Sequence, residues 1–125
     1  MVTVEVGNVK VELSDTLRVI YALKDITGAK GLREAMQSLG ALDMDQQLQL
    51  IYAAYKAGNK EPLSEEEFIG MLLDNCGVFA IADIIEKLSE GLMYSGMTPE
   101  AAQAKKAQVA EVLKTGATSS ATDTE

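Results

Sequence analysis

The stretch that decides the fold runs from Val2 to Leu13 and has the sequence VTVEVGNVKVEL. Valine or leucine occupies every second position on both sides of Gly7-Asn8, an alternation typical of two strands that share one apolar face. A two-residue connection that contains glycine suits a primed turn. The stretch therefore predicts a β-hairpin in which Val6 pairs with Val9, Val4 with Val11, Val2 with Leu13 and, on the opposite face, Glu5 with Lys10.

Helical patterns occupy the chain from there to about residue 114. Ser14 or Asp15 is expected to cap a helix that ends near Thr27 and carries Leu17, Ile20 and Tyr21 on its apolar stripe. Further helices are predicted after the capping residues Asp43, Ser64 and Thr98 and from Gly77 to Ser95, and a short segment at 32–39 lies between Gly31 and Gly40. Their expected apolar stripes are Met44, Leu48, Ile51, Tyr52 and Tyr55, then Phe68, Met71 and Leu72, then Val78, Ile81, Ile84, Ile85, Leu88 and Leu92.

These patterns predict a mostly α fold of the α+β class, with an N-terminal β-hairpin followed by about five α-helices. Residues 1–96 are expected to form the core domain. Residues 97–114 form an alanine-rich peripheral helix with little apolar area to bury. Residues 115–125 are small and polar, so they predict a disordered tail.

Composition limits the partners that this chain can bind. It has 125 residues and a formal net charge of −8, from 19 acidic and 11 basic residues. An acidic surface repels phosphate backbones and anionic lipids, so we expect neither nucleic acid nor a membrane as partner. No apolar run reaches the length of a bilayer span, and the first residues lack the features of a secretory signal. The expected location is the cytoplasm.

Side chains suited to catalysis are scarce. The chain has no histidine, which excludes a Ser-His-Asp triad, a Cys-His pair and a histidine-ligated zinc site. Its one cysteine, Cys76, cannot form an internal disulfide and is expected to be a small buried apolar residue. The acidic residues at 43–45 and 65–67 are explained by helix capping and the helix dipole. We therefore predict no catalytic, cofactor-binding or metal-binding residues, and no enzyme activity.

Two segments are candidates for contacts with other proteins. The hairpin has two outer edges that could pair with another copy of the chain, which makes Val2, Val4, Val6, Val9 and Val11 the candidate self-association residues. The alternative is that the valine face only covers the helices. Val109, Val112 and Leu113 are the candidate partner-binding residues of the last helix, unless that helix simply frays.

The order of these segments resembles the tail assembly chaperones of long-tailed bacteriophages and prophages. The resemblance covers about residues 2–94. It rests on a hairpin that leads into LRVIYALKDITG at 17–28, then LQLIYAAYKAG at 48–58, a connector that contains proline, and the acidic capped start LSEEE at 63–67.

This resemblance implies a function. Such a chaperone binds the tape measure protein, keeps it soluble, and helps to recruit the tail tube protein; a homo-oligomer and a longer frameshifted form are also implied. Two alternatives stay open, namely a small helical head–tail connector in the virion and a prokaryotic protein-binding regulatory adaptor.

Overall fold

The computed structural model describes the backbone of residues 1–123 and the side-chain surroundings of residues 1–111. The chain divides into two compact units, Met1–Ser95 and Gly96–Glu125. The first unit consists of β1 (Val2–Val6), β2 (Val9–Leu13), α1 (Leu17–Thr27), α2 (Leu32–Gln37), a 3-10 turn (Ser38–Ala41), α3 (Met44–Gly58), α4 (Glu65–Asn75) and α5 (Val78–Tyr94). The mostly α fold with an N-terminal hairpin is confirmed, and the short segment at 32–39 forms a helix of its own.

The hairpin has the register that its sequence predicts, in all five residue pairs from Val2–Leu13 to Val6–Val9. Gly7 has a φ of +62° whereas Asn8 has a negative φ, a combination that fits a type II′ turn. The apolar face packs onto the helices and buries Val4, Val6, Val11 and Leu13. Val9 is 52% exposed although Val6, its partner across the hairpin, is buried.

The start of α1 differs from the expectation. Thr16 is the N-cap residue and makes no side-chain capping bond. Ser14 and Asp15 are instead buried in tertiary contacts. The Ser14 N–H donates to the Ala54 carbonyl oxygen at 2.9 Å, and the Ser95 hydroxyl is 3.4 Å from Asp15 Oδ1. Because these two residues bind distant parts of the chain, neither caps the helix.

The buried face of α1 also differs from the expectation. Val19, Ile20 and Leu23 are buried, whereas Leu17 and Tyr21 are 62% and 56% exposed. The helix is rotated relative to the predicted stripe because apolar residues occur on both of its sides. Only the side with Val19 and Leu23 packs into the core, so Leu17 and Tyr21 remain on the surface.

The predicted starts of three other helices are confirmed by hydrogen bonds. Asp43 and Gln46 form a capping box, in which Asp43 Oδ1 accepts the Gln46 N–H at 2.8 Å. Ser64 Oγ accepts the Glu67 N–H at 3.2 Å. Thr98 Oγ1 accepts the Ala101 N–H at 3.1 Å, at the start of the second unit's helix α6, which spans Pro99–Asp123. Each cap satisfies a backbone donor that has no partner within its helix.

One hydrophobic core lies between the hairpin and the helices of the first unit. The predicted stripes of α3, α4 and α5 supply most of it, including Leu48, Ile51, Phe68, Leu72, Ile81, Ile84, Ile85, Leu88 and Leu92. Met44 and Val78 are exposed because each is the first residue of its helix. The Tyr55 and Phe68 rings stack with centroids 4.1 Å apart and join α3 to α4. The helix α6 continues to Asp123, so the backbone of residues 115–123 is helical where a disordered tail was expected at 115–125, and residues 124 and 125 lie outside the described residues.

Candidate protein-binding surfaces

Most of the strongly exposed apolar side chains of the first unit lie on the helices rather than on the hairpin. They cluster on the outer side of α1 and at both ends of α5. The set is Leu17, Tyr21, Val78, Phe79 and Met93, joined by Leu73 at the end of α4. Isolated exposed apolar residues are common on protein surfaces, but neighbouring ones can mark a binding site.

The first cluster is the α1 surface, which we define as Leu17, Arg18, Tyr21, Ala22 and Asp25. A groove of about 800 Å³ runs along one side of it, between α1 and α3. A second groove of about 650 Å³ runs along the other side, next to the end of α5. Arg18 lines both grooves, so the α1 surface is a ridge between two depressions.

The groove between α1 and α3 has a floor of small side chains and a balanced set of charges. Ala22, Ala53 and Ala57 leave space at its base. Its charged lining residues are two basic and two acidic ones, namely Arg18, Lys56, Asp25 and Glu65. In the part of the chain that the structure describes, neither Arg18 nor Asp25 has an ion-pair partner. This face is therefore locally neutral on a chain whose net charge is −8.

The second cluster is the α5 groove, which has a volume of about 460 Å³. The α5 groove is lined by Met36, Leu39, Gly40, Gln47, Ala82, Ile85, Glu86, Ser89 and Met93. Val78 and Phe79 lie one helical turn before Ala82, on the same side of α5. Phe79 is 89% exposed, so its aromatic ring projects into solvent near that end of the groove.

The two edges of the hairpin differ in their access to a partner. Residues next to a two-residue turn exchange hydrogen bonds with each other, so the outward-facing backbone groups belong to Thr3 and Glu5 on β1 and to Lys10 and Glu12 on β2. The Glu12 carbonyl oxygen accepts a bond from the Asn59 side chain at 3.1 Å, so the end of α3 covers part of the β2 edge. On β1 the side chains of Thr3 and Glu5, the two residues with outward backbone groups, are exposed.

The candidate self-association residues lie mostly inside the protein. Val4, Val6 and Val11 are buried in the core, Val2 is half-buried, and Val9 alone is exposed. The buried side chains therefore hold the hairpin on the helices, which leaves the backbone edges as the part of the hairpin that another strand could pair with. Among the candidate partner-binding residues, Val109 is 38% exposed, whereas the side chains of Val112 and Leu113 lie outside the described residues.

Sequence patterns did not identify the α1 surface or the α5 groove as sites. One feature of the sequence could have indicated an exposed apolar surface on α5. Phe79 is a large apolar residue that falls outside the apolar stripe of that helix. The residues of the α5 groove come from α2, the 3-10 turn, α3 and α5, and their proximity depends on the tertiary fold.

Groups associated with chemistry are few among the residues that the structure describes. Cys76 is half-buried against the core, and this burial raises the pKa of its thiol above the ordinary value. A raised pKa lowers the thiolate fraction at neutral pH. No group of three or more His, Cys, Asp or Glu side chains comes together as a metal site within the described part of the chain. Nor does any helix there have the length and apolar character needed to cross a bilayer.

No family model matches this sequence, and no curated protein or solved structure is significantly similar to it.

Proposed function

We propose that this protein is a tail assembly chaperone of a long-tailed bacteriophage or prophage. It acts by binding proteins rather than by catalysis: it binds the tape measure protein and keeps it soluble while tail tube subunits are recruited. The segment order at 2–94 supports this proposal through its resemblance to that family. The α5 groove adds a surface on which an apolar helix can bind.

The observation that carries the proposal is the exposure of Phe79. Burial of a phenylalanine side chain stabilises a protein by about 1.5–3 kcal/mol, and an exposed ring forgoes that free energy. Phe79 follows the exposed Val78 in the sequence. The α5 groove begins one helical turn further along α5, and its lining includes Met36 and Met93. Methionine side chains adapt to apolar surfaces of varied shape, which suits a chaperone whose client presents several helical segments.

Coexpression with the tape measure protein of the same phage tests this function. We expect the tape measure protein to be soluble and to copurify only when this protein is present. A tape measure protein that is equally soluble without it would contradict the chaperone function. Recovery of this chain in purified virions would indicate a head–tail connector instead.

Substitution of Phe79 tests the place of binding. Phe79→Ser removes the exposed ring without opening a cavity, so we expect the protein to stay folded and to retain less tape measure protein. Leu63→Ser is the matched control, because Leu63 is also an exposed apolar residue but lies in the connector before α4. Equal retention by wild type and Phe79→Ser would exclude the Phe79 ring as part of the client site.

A further inference from the structure

We infer that the client segment suited to the α5 groove is an amphipathic helix that carries lysine or arginine next to its apolar face. The inference rests on the proposed function, because it specifies the chemistry of the client that the groove binds. The length of the groove, its apolar lining and the charge along α5 each favour such a helix.

The groove and the exposed ring beside it extend along most of α5. Phe79 lies near one end and Met93 lines the other, so the surface spans about 21 Å along the axis of the helix. A client helix of about 15 residues has the same length. The surface therefore offers a continuous contact to several turns of a helix, rather than a pocket for a single side chain.

The lining of the groove presents few polar groups to a client. The wall opposite α5 includes Met36 and Leu39, and no charged residue lines that wall among the residues that the structure describes. On α5 itself, the Ser89 hydroxyl donates to the Ile85 carbonyl oxygen at 2.8 Å, so this donor is already satisfied. Apolar side chains at helical spacing can therefore be buried here at little desolvation cost.

Charge is concentrated on the side of α5 that borders the groove. Because successive helical residues are rotated by about 100°, Phe79, Asp83, Glu86 and Glu90 project within about 60° of one another. All four side chains are exposed. Asp83 forms an ion pair with Lys87 at 3.2 Å, whereas Glu86 lines the groove and has no ion-pair partner among the described residues. The α5 side of the groove is therefore an acidic rim.

This rim distinguishes between client helices of different charge. A lysine or arginine next to the client's apolar face lies opposite Glu86 and forms an ion pair, whereas an acidic residue there is repelled. The net charge of −8 on the whole chain acts in the same direction. A cationic side chain near the exposed Phe79 ring also gains a cation–π contact. The groove consequently favours a basic amphipathic helix over an acidic one.

Three fluorescent synthetic peptides of about 15 residues test this preference with the purified full chain. The first has leucine at helical spacing and lysine elsewhere, the second has glutamate in place of lysine, and the third has serine in place of leucine. We expect the Leu/Lys peptide to bind at least about tenfold more tightly than the other two, as measured by fluorescence anisotropy. Equal binding of the Leu/Glu peptide, or equal binding of the Ser/Lys peptide, would overturn the inference.

Two variants and a control locate the binding. Glu86→Lys should weaken binding of the Leu/Lys peptide at least about fivefold and strengthen binding of the Leu/Glu peptide. Phe79→Ser should weaken binding of both leucine peptides. Glu61→Lys makes the same change in net charge in the connector before α4, so it should leave both affinities within about twofold of wild type. An equal effect of Glu61→Lys and Glu86→Lys would mean that net charge alone attracts the peptide, and would overturn the inference.

Failure of this inference is distinguishable from failure of the proposed function. A Leu/Lys peptide that does not bind to the purified protein overturns the inference, even where the tape measure protein is kept soluble in coexpression. A tape measure protein that is equally soluble without this chain contradicts the function, whatever the peptides do. Residues 79 and 86 are exposed, so both variants are expected to keep the wild-type circular dichroism spectrum.

Discussion

Gly91 is a position where a single methyl group matters. It lies in α5 facing the start of the hairpin, and a Cβ atom there would be 2.8 Å from Val2 Cγ2 and 2.9 Å from Asp15 Cβ. These distances are shorter than van der Waals contact, so a larger residue forces α5 and the buried Asp15 apart. Glycine therefore fits at position 91 better than alanine, although alanine is ordinarily the more stable residue inside a helix.

We predict that Gly91→Ala lowers the free energy of unfolding by about 1–3 kcal/mol, the usual cost of overpacking. Gly70→Ala is the matched control, because residue 70 is also inside a helix but has no atom within 4 Å of its added Cβ. There alanine should raise the free energy of unfolding by about 0.5–1 kcal/mol. Urea denaturation measures both values, and a neutral or stabilising Gly91→Ala would contradict the close approach.

Cys76 has a pH dependence that follows from its burial. Desolvation raises the pKa of the thiol in the folded protein, so the unfolded chain loses this proton at a lower pH. Stability from this group is consequently present below the ordinary thiol pKa and decreases as the pH rises above it. We predict that iodoacetamide alkylates Cys76 more slowly in the native protein than in urea at pH 8. The native rate divided by the rate in urea should increase toward one as the pH is raised, because both thiols become fully deprotonated. Equal native and unfolded rates at pH 8 would refute the expected burial.

At the scale of elements, local signals predict the hairpin and the helix caps, whereas the orientation of α1 requires the tertiary structure. Both faces of the hairpin favour one register, and Asp43, Ser64 and Thr98 cap within three residues of their own position. The side of α1 that is buried depends on what α3 presents to it. The sequence of α1 alone therefore predicts Leu17 and Tyr21 in the core, whereas the structure places both on the surface. The α5 groove joins residues from distant parts of the chain and had no local signal.

The Asn59 side chain joins the end of α3 to β2. The Asn59 side chain donates to the Tyr55 carbonyl oxygen at 2.7 Å and to the Glu12 carbonyl oxygen at 3.1 Å. Asn59→Ala removes both bonds and should lower the free energy of unfolding by about 1–2 kcal/mol. Urea denaturation measures the loss, and an unchanged free energy of unfolding would mean that these two bonds do not stabilise the junction.

At the scale of the whole molecule, the described hydrophobic core and the proposed client surface lie in the same unit of the chain. The buried hydrophobic residues of that core lie between Val4 and Leu92, within the first unit. The proposed client surface on α5 belongs to that unit too. The second unit contributes α6, whose side chains are mostly exposed over the described residues. The two units therefore differ in burial over the described residues.

Removal of residues 96–125 tests this separation. Because the described core lies within the first unit, we predict that the fragment 1–95 unfolds in urea in one cooperative transition with nearly the midpoint of the full chain. If the α5 groove binds the client, the fragment should also keep the tape measure protein soluble in coexpression, and Phe79→Ser within the fragment should reduce that effect. A fragment that folds normally but no longer retains the client would move the binding site to α6, where Val109, Val112 and Leu113 are the candidates. A fragment that fails to fold would instead show that α6 supports the first unit.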